Sequence, residues 1–156
     1  MHFLIALHAV LGEVGALAFL WVLVEMLDPN EARLRRARRA ALIGVLCLLA
    51  AWVAGGIYYL TDYAALVKPV IKSGPLPWAH TVIMETKEHI FLFLPFLGVL
   101  GWSLLRKNVN VFIGDKNLKR ATILLCLLIV LLAFSMAGMG FIISSGFRAA
   151  LEAKII

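Results

Sequence analysis

The chain has 156 residues, of which 63% are hydrophobic and 15% charged, and it carries a net charge of +6 with a mean hydropathy of +0.96. Soluble domains carry about a quarter of their residues as charged side chains, so a soluble fold is excluded and an integral membrane protein of one domain, residues 1–156, is predicted. The cations follow no groove-reading motif, which excludes a nucleic-acid partner, and Cys47 and Cys126 lie mid-helix among leucines without a CxxC pair, which excludes a disulfide framework.

Four apolar stretches predict an all-α fold, a four-helix transmembrane bundle. Helix one covers residues 3–27 and stops at the turn signal Asp28-Pro29-Asn30. It has no basic segment before it and no small-residue cleavage site, so it reads as a retained helix rather than a signal peptide. Helix two covers residues 40–60; Gly55 and Gly56 lie near its end, where Tyr58, Tyr59 and Tyr63 form part of an interfacial aromatic belt. Residues 61–77 contain Pro69, Gly74, Pro75 and Pro77, a composition expected of an ordered irregular cap or a short interfacial helix. Helix three covers residues 78–105, with a kink expected at Pro95. Helix four covers residues 121–147, where Ser135, Gly138, Gly140, Ser144 and Ser145 would let a neighbouring helix approach closely.

Arg33, Arg35, Arg36, Arg38 and Arg39 fall between helices one and two, and Arg106, Lys107, Lys116, Lys119 and Arg120 between helices three and four. Lysines and arginines favour the cytoplasmic side, so both termini are expected on the outer side of a prokaryotic inner membrane. Glu25 is within reach of the arginine-rich connection.

Helices one and three enter from the same face, and His8 and His89 lie roughly 10 and 16 Å along them. A buried imidazole pair at similar depth is what a haem iron or another metal needs. His8, Gly12, Gly15 and Phe19 share one helical face, where two glycines would leave a trough for a flat macrocycle. The same pattern also fits tight helix packing around a satisfied core histidine. Glu85 and His89 are i, i+4 neighbours, so the carboxylate is placed to hold the ring's second N–H, while His80 and Lys87 point roughly the other way. Glu13, about 140° from His8 around helix one, is a candidate proton relay or a neutral carboxyl bonded to a neighbouring helix. Glu85, Lys87 and Glu88 either support such a site or form the solvated first turns of helix three. Lys68, Lys72 and Arg148 sit where outer-surface cations would meet haem propionates. Met136 and Met139 read as packing residues.

The segments LHAVLGEVGALAFLW, the basic connection after it, GGIYYL and ETKEHIFLFLPFLG give the chain a layout that resembles small four-helix membrane cytochrome-like proteins. That group includes cytochrome b561-type bundles, copper-resistance D-type domains and HemJ-type protoporphyrinogen oxidases. The resemblance implies haem b between helices with His8 and His89 as ligands. Helices two and four contain no histidine, which disfavours a two-haem wire. Two strong axial ligands leave no open position, so the expectation is an oxidoreductase or electron-transfer subunit partnered by a quinone or an external redox protein. An alternative is a non-haem Fe, Zn or Mn site built from His8, His80, Glu85, Glu88 and His89. A third is an accessory subunit of a larger membrane complex or homo-oligomer.

Overall fold

Asp28 and Pro29 end the first apolar run, and the Asn30 side chain accepts a hydrogen bond from the Arg33 backbone N–H at 3.0 Å. That N-cap satisfies one of the donors a new helix leaves open, so helix two begins at Glu31 rather than at residue 40. The arginines therefore occupy its first turns, not a loop. The computed structural model describes Phe3 to Ala153, and every regular element among these residues is helical.

After α1 (Phe3–Leu27), α2 (Glu31–Tyr58) runs without interruption into a wide-turn π-helical segment, π1 (Tyr59–Val67), and then α3 (Lys68–Ser73). The expected cap is thus mostly helical, and Gly74, Pro75 and Pro77 end it. A second wide-turn segment, π2 (Ala79–Met84), opens helix three ahead of α4 (Glu85–Leu105). A short α5 (Val109–Gly114) leads to Asp115, whose carboxylate caps the N–H groups of Asn117 and Leu118 and starts α6 (Lys116–Glu152). At 37 residues, α6 is about 56 Å long and extends past both expected ends.

Four helical stretches, Phe3–Leu27, Glu31–Ser73, Ala79–Leu105 and Lys116–Glu152, are long and apolar enough to cross a membrane. They pack in a ring: α1 lies against α2 and α6, and α4 lies against the same two. Chain direction alternates around the ring, so His8 and α3 share one end and the arginines the other. Large apolar side chains such as Phe93, Phe96, Leu131 and Phe141 cover the outside.

Phe19 is the hub of the interior and is fully buried. Its ring rests on two other helices because they carry glycine there: a Cβ on Gly44 would stand 2.8 Å from the ring, and one on Gly98 3.3 Å. Close backbone approach of this kind replaces the hydrophobic effect as the packing force where helices are solvated by lipid. The small residues of α6 divide into two groups. A Cβ on Gly146 would meet that of Ala79 at 2.7 Å, holding the cap against α6, whereas Gly138 has nothing within 4 Å.

At the arginine end Glu25 is nearly enclosed and takes four hydrogen bonds. Arg36 is bidentate at 2.6 and 3.0 Å, Arg33 Nε donates at 3.0 Å, and Trp21 Nε1 donates at 2.9 Å. Two more cations cap helix ends, where carbonyls lack partners. Arg38 donates to the Leu105 and Lys107 carbonyls at 2.7 Å each, and Lys119 to the Leu27 carbonyl at 2.9 Å. Several of the residues that read as a topology signal are therefore also structural clamps.

Candidate functional site at the histidine end

The apolar core is not continuous. One part runs from Met26 and Phe112 to Ala16, Leu48, Leu94 and Met136; the other gathers Tyr63, Ile71, Ala79 and Ile143 under the cap. Neither part includes the half-buried His8 and Lys87.

His8 projects from α1 toward α2, where its Nδ1 lies 2.8 Å from the Ala51 carbonyl oxygen. A carbonyl only accepts, so Nδ1 carries the proton and Nε2 is left with a free lone pair. The approach requires glycine at position 55, since a Cβ there would stand 2.6 Å from Nδ1. On the other side the ring meets Phe91 of α4 edge-on, with centroids 5.5 Å apart. Ligating histidines are typically oriented by such a bond from the second nitrogen to a backbone carbonyl.

Lys87 lies one turn before Phe91 and reaches across to α6, its Nζ 3.3 Å from where a Cβ on Gly140 would be. It is within electrostatic range of His8, and among the described residues its ammonium has no acceptor.

The structure does not bring His8 and His89 together. His89 is exposed and its Nδ1 bonds to the Glu85 backbone carbonyl at 2.6 Å. It is two residues from Phe91, or about 200° around the helix, and so turns away from the face that meets His8. The Glu85 carboxylate does not hold His89; it lies 3.5 Å from His80 Nε2. Gly12 has open space beside it, as a trough requires, whereas Gly15 is a packing glycine whose Cβ would meet Leu48 at 3.0 Å. Glu13 is exposed on the outer face of α1. Among the described residues no three His, Cys, Asp or Glu side chains converge as metal ligands.

A second polar cluster lies under the cap. His80 is only 1% exposed and Tyr63 3%; the Tyr63 hydroxyl donates to His80 Nδ1 over 3.1 Å, which leaves Nε2–H directed at Glu85. Tyr59 stacks on Tyr63 at 5.3 Å and lies within electrostatic range of Glu88, whose Oε1 is buried without a partner. Lys68 is within electrostatic range of both His80 and Glu88, and Lys72 of His80. Arg148 is exposed and donates to the Ser145 hydroxyl at 3.2 Å. Tyr59 and Tyr63 read from sequence as interface anchors; their i, i+4 spacing on a helix that continues past residue 60 is the signal that places them inside. Removing the Tyr63 hydroxyl strands a buried imidazole nitrogen, which costs about 1–3 kcal/mol. Tyr63→Phe is therefore expected to destabilise the protein by about 1–2 kcal/mol in micellar unfolding titrations.

Comparison with protein-family models, curated proteins and solved structures gives no match to this chain. The functional reading rests on the geometry of the site itself.

Proposed function

We propose that the chain is an integral membrane protein, its four long helices forming a transmembrane bundle with both termini outside and the arginine end cytoplasmic. We further propose that it binds one b-type haem near the histidine end in a redox role, electron transfer being the reading that two axial ligands would favour and His8 alone does not decide. The observation that carries the haem reading is the state of His8: one nitrogen is committed to Ala51 at 2.8 Å, so the other is pre-oriented inside the helix ring as a neutral donor. The donor chemistry fits a haem. His8 Nε2 would hold the iron, and Lys68, Lys72 and Arg148 are the cations of the same end available to carboxylates. A bound haem supplies a one-electron redox couple; the chain supplies the axial donor, the fixed tautomer and an apolar wall at Phe91. His89 faces outward, so His8 is the ligand supported by the geometry. A quinone in the bilayer or an external redox protein of a prokaryotic inner membrane is the corresponding partner.

The test is the absorption spectrum of detergent-purified protein, oxidised and reduced, together with its iron content. The expected result is a Soret band that His8→Ala abolishes and His89→Ala retains. Absence of both the band and iron, or full haem retention in His8→Ala, would overturn the assignment.

A further inference from the structure

Lys87 is a half-buried cation whose placement folding does not explain. It extends from α4 over bare backbone at Gly140 and faces the interior that His8 and Phe91 line, and no carboxylate, phenol or carbonyl among the described residues accepts from it. Of the acids nearest in sequence, Glu85 lies against His80 and Glu88 is within electrostatic range of Tyr59. A cation left in apolar surroundings without a counter-charge is costly, and within a membrane span it marks a ligand site by default.

We propose that Lys87 binds the carboxylate of an amphiphilic ligand that enters the seam between α4 and α6. Three features favour a carboxylate on an apolar body. The ammonium presents three donors and no acceptor, so the complementary headgroup is an anion. Glycine at 140 lets Nζ lie over the α6 backbone, 3.3 Å from where a Cβ would stand, so no side chain at that position separates the ammonium from an incoming headgroup. Phe141, the residue after Gly140, is exposed and offers apolar surface for an alkyl or ring body. The carboxylate could be that of a free fatty acid or a propionate of the haem proposed above; the interaction at Lys87 is the same, and the inference does not depend on which ligand supplies it.

The experiment uses the full-length protein in detergent micelles and a dansyl-labelled long-chain fatty acid, with its methyl ester as control, followed by fluorescence. Lys87→Gln should weaken binding of the acid by about tenfold or more, as loss of one charge-assisted hydrogen bond would. Lys87→Arg should retain it, and the ester should bind weakly to every variant. In parallel, haem retention is measured in the same variants. If the labelled acid fails to bind but haem loss tracks Lys87→Gln and not Lys116→Gln, an exposed lysine of the arginine end, the inference holds with haem as the source of the carboxylate. Equal binding of acid and ester, or equal behaviour of wild type and Lys87→Gln in both assays, overturns it. His8→Ala should remove haem without changing fatty-acid binding, so the two proposals can fail separately.

Discussion

Phe19→Ala is expected to lower stability by about 2–4 kcal/mol, the largest effect of any single core substitution in this chain. Phenylalanine truncations in soluble cores cost about 3–5 kcal/mol, part of it from transfer to water and part from the cavity left behind. In a bilayer the transfer part shrinks, because the separated helices are already in an apolar solvent. The cavity part remains, and it is large here because the ring is fully enclosed and rests on the glycine positions of two facing helices. Gly44 and Gly98 cannot fill the space from their side. The converse substitution, Gly44→Leu, should be comparably damaging, since even a methyl there would stand 2.8 Å from the ring and overpacking costs about 1–3 kcal/mol. Unfolding of the purified protein by an ionic detergent in mixed micelles measures both. A loss below about 1 kcal/mol for Phe19→Ala would show that the bundle does not close on this ring.

Glu25→Gln is expected to have the next largest effect, about 2–3 kcal/mol, as charge-assisted hydrogen bonds from Arg33 and Arg36 become ordinary ones. Breaking a fully buried pair costs about 3–5 kcal/mol. The smaller figure applies because Arg36 is half exposed, with a side chain at 50%, and water can solvate it when the carboxylate is lost. The Trp21 N–H should retain an acceptor in the amide, so Glu25→Ala should be worse than Glu25→Gln. The same micellar titration compares the two, and a neutral Glu25→Gln would mean that the four bonds to this carboxylate contribute no net stability.

Much of the fold was legible in the amino-acid pattern. The four apolar runs were readable because length and hydropathy suffice to identify helices of this kind, and Asp28-Pro29-Asn30 announced the first corner. The reach of Glu25 to the arginines was also readable, being a matter of two charges near one turn. Helix ends were less legible: the arginines looked like a loop because their charge masks a helix start that Asn30 sets. At the site, His8 was legible through the shared face of His8, Gly12, Gly15 and Phe19, but its partner on helix three was not. His89 is the more conspicuous residue in ETKEHIF, yet Lys87 and Phe91 are the pair that face inward, because the rotation of α4 is set by the π2 segment before it, which periodicity at 3.6 residues does not anticipate. The same wide turns carry Tyr63 and His80 into contact, a pairing across 17 positions that no local pattern encodes.

The two π segments carry a consequence for how this sequence tolerates change. A π turn behaves as an α-helix that has already accepted an extra residue, so one more residue added between Tyr59 and Tyr63, where the turn is already widened, would swing everything beyond it by about 100° about the axis. The phenol of Tyr63 and the short helix behind it would then leave their seats as a unit while every substitution-sensitive side chain stayed chemically intact. Length, more than residue identity, is the property that this part of the chain has to keep.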